Sequence, residues 1–448
     1  MTSLVMKAEA EASERVPAQG PLAGARMLFV APDDYPAFRV DLVELFSNHL
    51  VGRGLKIDWS LRPFQDGPAR VDERGAERFH VARRQMSGKF GALRYRMAEN
   101  WLRLKLAWRA ARGDYDLIQI RDQPLWAITY ALAGRISGTP CLFWMSYPVL
   151  EGRLRDALKN LVPMSWPSRL VRIVYATVAD FLFYKVALPL SSHVIVQSKR
   201  MRERVGFRGI AMQKMTPIPM GVSTERYNIA SIRAADDPRL AGKKSMAYLC
   251  ANVVSILTNL TVDALAELVA EGHDAVLVLI GAVSDFERKR LDDRLEELGV
   301  SDRVIFTGRL PLAEALGWVK RADVCLSPFM MDAAQQVATP TKLVEYLAMG
   351  RPVVGTVHYD QNEVIHGSGT GFVTAFSGKA MAEGVARLFA DPQKAEAMGA
   401  RGPAWVKANR DYTHLADVVE QIYMDLLDRQ RASMRMQQPK PGAGNAGS

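Results

Sequence analysis

The sequence predicts an α/β protein of two Rossmann-like, doubly wound parallel-sheet domains, and three observations carry that prediction. Short apolar runs of strand length alternate with stretches of helical period. The alternation breaks at a Pro/Gly-punctuated passage, Met215 to Val222, and then begins again. At 448 residues the chain is also too long for one ordinary core, so two large domains are the natural count.

The elements follow in order. Met27 to Ala31 reads as a buried strand, Val40 to Arg53 as a helix and Lys56 to Leu61 as a second strand, a βαβ opening. Strands are expected at Asp116 to Arg121, Pro140 to Met145 and His193 to Gln197. Helices are expected at Leu125 to Ile136 and Ser198 to Val205. The second series has strands at Ser245 to Cys250, Ala275 to Ile280, Arg303 to Thr307, Asp323 to Ser327 and Pro352 to Gly355. Its helices are placed at Leu260 to Ala270, Phe286 to Leu298, Leu312 to Arg321 and Lys342 to Met349. A last helix runs from Thr413 to Leu427. The expected organisation is a disordered leader over 1–24, a first domain over 25–216, a second over 217–410, a closing helix over 411–430 and a disordered tail over 431–448. Ligands bind outside the carboxyl ends of strands in such sheets, so chemistry is expected in a cleft that the two domains face.

Composition narrows the class. A 48% hydrophobic and 24% charged chain is typical of a globular protein, and no stretch of about 20 residues is free of charge, so no membrane crossing is expected. The leader mixes Lys7, Glu9, Glu11, Glu14 and Arg15 with alanines and has no secretory apolar core. Cys141, Cys250 and Cys325 stand apart in apolar runs, which suits buried thiols in a reducing compartment. The seven histidines form no metal-ligand pattern, so no metal is expected.

The net charge of +10 is concentrated. From Arg83 to Arg112 nine Lys or Arg stand against Glu99 alone, an excess of eight positive charges. Within the same segment Phe90, Leu93, Met97, Trp101, Leu104 and Trp108 recur at spacings of three and four, which puts an apolar stripe on a basic helix. Two readings fit: an interfacial helix held on an anionic membrane surface, and a core-packed helix with solvated charges. No nucleic-acid-binding module accompanies the charge, so nucleic acid is not an expected partner. The apolar stretch Trp166 to Leu190 carries Arg169, Arg172, Asp180 and Lys185, too many charges to span. It is expected to pack as a long helix leading to the His193 strand, or else to extend a membrane-facing surface.

The most informative segment is Thr339-Pro-Thr-Lys-Leu-Val-Glu-Tyr-Leu-Ala-Met-Gly-Arg-Pro-Val-Val354. Thr339 is placed as the N-cap and Pro340 as the first helical residue, with free amides aimed outward to form an anion site suited to a diphosphate. Glu345, one turn in, is within reach of ribose hydroxyls. Gly350 stops the helix. This string resembles the donor-site helix of the family 4 glycosyltransferases, in the branch that builds bacterial exopolysaccharide and lipopolysaccharide. Further resemblances are Ile218-Pro-Met-Gly-Val222, Leu279-Ile-Gly281, Val304-Ile-Phe-Thr-Gly308 with Arg309 and Leu310, Ala322 to Pro328, and the Tyr412 to Tyr423 helix.

The resemblance implies a GT-B fold, a last helix crossing back to the first domain, and a retaining transfer from a nucleotide-diphosphate sugar to a lipid-linked acceptor. It implies donor contacts from Gly281, Gly308, Arg309, Leu310, Thr339, Pro340, Thr341, Lys342 and Glu345, no metal cofactor, and a place on the inner face of the cell membrane. Two departures stand out: Val337 where many members carry a first glutamate, and no Arg/Lys in Cys250 to Asn259, where a diphosphate-binding pair is usual. Lys342, Arg309 or Lys320 are the candidate substitutes.

Acceptor-side candidates follow the first domain's strands: Asp33, Arg39, Arg121, Asp122, Ser146 and Glu151, with Arg121 and Glu151 expected, beside Lys342 and Glu345, to be catalytic. Electrostatic stabilisation of the leaving diphosphate is the expected mechanism, with no protein nucleophile. A catalytically impaired scaffold subunit is the alternative that the two departures suggest; a sugar-nucleotide epimerase fits less well.

Overall fold

The computed structural model describes residues 20–36, 39–159, 165–252, 255–330, 332 and 335–437. The expected leader through residue 19 and the expected tail from 438 lie outside the described residues. The described ends are ordered: Leu22 is buried, and residues 431–437 continue a helix. The chain forms two compact units. The first comprises the chain through Val196, Arg202–Ile218 and Leu415 onward; the second comprises Gln197–Met201 and Pro219–His414.

In the first unit, β1 (Arg26–Tyr35) leads into α1 (Leu42–Leu50), which is wound with π-type bonds, and β2 (Lys56–Pro63) follows. A hairpin, β3 (Arg70–Arg74) and β4 (Glu77–Val81), precedes α2 (Gly91–Ala111). Then come β5 (Leu117–Arg121), α3 (Pro124–Ser137), β6 (Cys141–Met145), α4 (Val149–Leu158) and α5 (Trp166–Leu182). A π-wound turn, Phe183–Ala187, carries α5 into α6 (Leu188–Leu190), and β7 (His193–Val196), α7 (Lys199–Phe207) and β8 (Met215–Pro217) complete the series. The sheet order is β3-β4-β2-β1-β5-β6-β7-β8, parallel except for β3 against β4. Met215–Pro217, expected in the connection, is therefore an edge strand.

Right-handed crossovers put α2, α3 and α5 on one face of this sheet and α1 on the other. Phe29 stacks on Trp59 at 4.7 Å and meets Phe46 of α1 edge-on at 4.8 Å, the aromatic core of the α1 side. Asp58 of β2 is a polar hub on the other side. Its carboxylate accepts from Arg26 Nη2 at 2.8 Å and from Tyr115 Oη at 3.1 Å, and lies 3.1 Å from His80 Nε2.

The second unit begins with β9 (Lys244–Asn252), α8 (Ser255–Ala270), β10 (Ala275–Ala282), α9 (Asp285–Glu297) and β11 (Val304–Gly308). It continues with α10 (Leu312–Arg321), β12 (Val324–Ser327), α11 (Thr341–Ala348), β13 (Val353–Thr356), α12 (Tyr359–Ser368) and β14 (Gly371–Thr374). Three further helices, α13 (Gly378–Ala390), α14 (Pro392–Gly399) and α15 (Gly402–Asn409), lead to α16 (Tyr412–Gln437). The all-parallel sheet runs β11-β10-β9-β12-β13-β14. Period-two alternation fills both faces: Val276, Val278 and Ile280 enter one apolar layer with Leu343 and Leu347, while Leu277 and Leu279 enter the other with Leu265 and Val385.

The end of the chain returns to the first unit. Tyr423 of α16 donates to Gln119 Oε1 of β5 at 2.6 Å, and Arg53 pairs with Asp417 at 2.6 Å and with Glu420.

A candidate donor site and a buried polar cluster

Strand order in the second sheet reverses between β9 and β12, and such a switch point opens a crevice at the carboxyl ends of the strands. α11 starts there, after β12. Its first helical residue is Thr341, Pro340 is the N-cap, and no side chain caps the helix. The expected cap, Thr339, is used elsewhere, because its Oγ1 accepts the Met220 N–H at 3.0 Å. Proline at the cap position has no side chain to offer, so the amides of the first turn are left for solvent or a ligand. At the other end Gly350 adopts φ +65°, the left-handed stop expected of it.

Lys342 and Glu345 project from successive turns of α11. The Lys342 ammonium lies 4.4 Å over the Tyr248 ring and donates to its hydroxyl at 3.2 Å. Burial lowers its pKa to about 8, only partly offset by Cys250 and Glu345. Glu345 Oε1 accepts the Tyr227 hydroxyl at 2.9 Å. Burial raises the pKa of this carboxyl, with Tyr227 and Lys342 opposing. Tyr346 anchors the helix to β9, its hydroxyl accepting the Leu249 N–H at 2.7 Å. Tyr227 and Tyr248 were not singled out from the sequence: each is one aromatic in an apolar or polar run with no motif around it.

The remaining donor-side residues fall into two groups. Gly281 has φ +145°, and a Cβ there would lie 1.6 Å from the Cys250 carbonyl oxygen, so only glycine permits this approach of β10 to β9. Gly308 closes β11 at φ +67°, Arg309 beside it is exposed, and Leu310 packs on the core. Lys320 is not a diphosphate ligand, because its ammonium donates to the carbonyls of Ile229 and Ile232 at 2.5 and 2.7 Å. Val337, in the place of a first glutamate, is buried. Residues 253 and 254 of the loop without cations lie outside the described residues.

The first unit holds a charged cluster at the carboxyl ends of β1 and β5. Arg121, expected to face ligand, is instead buried at 1% exposure and donates to Asp41 Oδ2 at 2.6 Å. Its Nε is 4.0 Å from Asp33 and 3.7 Å from Asp122. Arg39 reaches Asp41 at 3.2 Å and Asp33 at 3.6 Å. The physical reason is charge balance: two carboxylates at strand ends, Asp33 and Asp122, and a third at the start of α1, Asp41, need a cation, and the inward guanidinium supplies it. Asp122 has φ +47°, a conformation that side chains resist, and its Oδ1 accepts the Ser146 N–H at 2.8 Å. Burial raises the pKa of Asp33 and of Asp122 against the pull of Arg121, whereas Arg121 and Arg39 overcome burial at Asp41 and lower it. Asp33 Oδ2, Arg121 Nε and Nη1 and Ser146 Oγ have no hydrogen-bond partner among the described residues. Asp41 was missed because it reads as one polar position in a helical stretch.

Glu151 does not join this cluster. Its carboxylate pairs with Arg204, lies 3.6 Å from Arg208 and accepts the Tyr184 hydroxyl at 3.1 Å, which makes it a brace between α4 and the chain that follows. Among the described residues no group of three or more His, Cys, Asp or Glu is arranged to hold a metal ion.

The stripe on α2 faces outward. Trp101 is 71% exposed, and Phe90, Leu93, Met97, Leu104 and Trp108 are exposed with it, so the core-packed reading of that stripe does not hold. The inner side of α2 carries Arg103, buried against Glu99 at 2.6 Å and 5.6 Å from the Trp126 ring of α3.

Comparison with known proteins bears on the same regions. Residues 257–391 match the family model "Glycosyl transferases group 1". The GDP-mannose-dependent alpha-(1-6)-phosphatidylinositol monomannoside mannosyltransferase of Mycobacterium tuberculosis is 29% identical over 205 residues, 44% of this chain and 53% of the relative. The putative colanic acid biosynthesis glycosyltransferase WcaL of Salmonella typhimurium is 26% identical over 178 residues, 38% of this chain and 40% of the relative. The chain thus spans about half the length, or less, of these curated relatives. Anabaena Alr3699/HepE, solved with UDP and glucose, superimposes with a TM-score of 0.60 at 16% identity over 90% of this chain and 100% of that one. Sucrose-phosphate synthase from Thermosynechococcus elongatus does so with a TM-score of 0.63 at 17% identity, over 90% and 100%. The chain therefore has the two-unit GT-B architecture of these glycosyltransferases, and its second unit carries the glycosyl transferases group 1 region.

Proposed function

We propose that this protein is a nucleotide-sugar-dependent hexosyltransferase that acts with retention on a lipid-linked polysaccharide precursor at the inner face of the cell membrane. The carrying observation is the joint placement of Lys342 and Glu345 on an uncapped helix at the switch point of the second sheet. In this reading the diphosphate sits against the first-turn amides of α11 with Lys342 as its cation. Charge that develops on the leaving nucleoside diphosphate meets dipoles already in position, the arrangement that contributes most in many enzymes. Glu345 keeps one oxygen on Tyr227 and offers the other to ribose hydroxyls. Thr341, Gly281, Gly308, Arg309 and Leu310 complete the donor surface.

On the acceptor side, Asp33 and Asp122 are the groups that receive a sugar hydroxyl, and Arg121 is the positioning residue that holds both. Their raised pKa values suit proton acceptance. The mycobacterial relative is named for a lipid acceptor, which supports the lipid-linked class. The exposed tryptophan stripe and basic rim of α2 support residence on an anionic leaflet. No metal step is needed where amides and a lysine carry the diphosphate, so turnover is expected to be unchanged in EDTA.

The test is isothermal titration with UDP, GDP, ADP and TDP, using the wild-type protein and Glu345→Ala. One nucleotide binding in the micromolar range, and at least tenfold more weakly in the variant, is the expected result. No binding by any of the four would overturn the transferase reading. With the nucleotide known, NMR of the product's anomeric centre decides retention.

A further inference from the structure

α5 is built inside out. Trp166, Val171 and Phe181 are 72%, 69% and 61% exposed, and Leu170, Val174 and Val178 are exposed beside them. At 100° per residue these six side chains and Tyr175 cover half of the helix circumference, and Thr177 is the one polar side chain among them. Two of the charges that made the segment look unsuited to lipid, Arg169 and Asp180, are engaged away from this face. Arg169 donates to the Ala157 carbonyl at 2.7 Å and to that of Leu158, closing the end of α4, and Asp180 pairs with Arg208. The buried side of α5 is small, Ala176 and Ala179, and the run is anchored by Phe183 against Phe143 at 4.8 Å. An ordinary surface helix has the reverse pattern.

We propose that α5 is an in-plane membrane helix whose outer face lies among the acyl chains at the surface of an anionic bilayer. The run Trp166–Leu190, 25 residues, is long and apolar enough to cross a membrane. Its two ends nevertheless return to the same sheet, through α4 and β6 before it and β7 after it, so the helix lies along the membrane. Charge selects the occupant. From Val149 to Leu190 six Lys or Arg stand against Glu151, Asp156 and Asp180, and each of those acids is already ion-paired. α2, on the same face of the sheet, adds its own cationic excess. A second copy of the chain would bring two cationic rims together, whereas anionic headgroups meet them with opposite charge. α2 supplies a narrow stripe with a basic rim and α5 a broad uncharged face, so the two elements differ in how salt affects them.

The inference stands apart from sugar transfer, because vesicles alone test it. The full chain is co-sedimented with phosphatidylcholine vesicles, with and without phosphatidylglycerol, at low salt and at about 0.5 M salt, where exposed charges are largely screened. Expected is binding to the anionic vesicles that persists in high salt for the wild type. The V171E/V174E variant loses that salt-resistant binding at least tenfold, with circular dichroism and nucleotide binding unchanged. The variant K89E/K105E, just before and within α2, loses only the salt-sensitive part. Wild-type binding by V171E/V174E at high salt would overturn the proposal. So would sedimentation showing a dimer that this variant abolishes while vesicle binding is untouched.

Discussion

Lys342 puts the chemistry of the donor site within reach of a pH titration. Its pKa, lowered to about 8 by burial, places the loss of its charge near neutral pH rather than far above it. In the proposed donor site the lysine is charged below that value and is the diphosphate's cation; above it the charge is lost. Nucleotide affinity is therefore expected to be flat below pH 8 and to fall by up to about tenfold per unit above it. Lys342→Gln should bind more weakly with no such bend, which calorimetry across the pH range checks. Gly281 makes a separate demand: Gly281→Ala sets a methyl 1.6 Å from the Cys250 carbonyl in a backbone that alanine avoids. A loss of about 3 kcal/mol or more in the second unit is expected, read by thermal melting. At this scale the sequence located helix α11 with Lys342 and Glu345 on successive turns, because a proline at its start, a glycine stop and a following apolar strand leave few alternatives; the cap expected at Thr339 falls on Pro340 instead. Partners such as Tyr227, more than a hundred residues away, follow from packing and have no local signal. Arg121 shows the same limit in reverse: a polar residue at a strand end reads as ligand-facing, and only the three aspartates around it turn it inward.

Helices were legible where one face is apolar and the other is not, and strands where both faces are buried. Most of the parallel strands were read from their uniform apolar runs, but β4, β8 and β14 were not. Nor was β3, Arg-Val-Asp-Glu-Arg, because an exposed edge strand needs no apolar residues at all. Periodicity also found the stripe on α2 and the apolar content of α5 without saying which way either faces, since a stripe toward the core and one toward solvent have the same spacing. Asp58 is the clearest element-scale prediction, as it joins β1, β2, β4 and the start of β5 through Arg26, His80 and Tyr115. Burial opposes its charge, but His80 and Arg26 prevail and hold its pKa at about 2. A depressed carboxyl contributes stability that is present above its ordinary pKa and is lost as pH falls toward 2. Asp58→Ala should cost the first unit about 1–3 kcal/mol by taking from Arg26, His80 and Tyr115 the acceptor they share, and should remove that acid-labile component. Hydrogen exchange in β1, β2 and β4 is the readout.

The whole molecule is interleaved. The first unit is made from both ends of the chain, and α16 supplies Tyr423, Ala416 and Val419 to its interior. Truncation after His414 is expected to loosen the first sheet while the second unit still binds nucleotide. Fast exchange in β1 and β5 beside unchanged calorimetry is the expected pair of results. Such an arrangement also orders events at the ribosome. Translation delivers the strands of the first sheet roughly two to four hundred residues before the helix that covers it, so the nascent chain carries an uncovered apolar flank while the second unit is synthesised and folds. The first sheet is finished only by α16, which makes a stop or stall in synthesis between the second unit and that helix the event that hands this chain to chaperones and proteases.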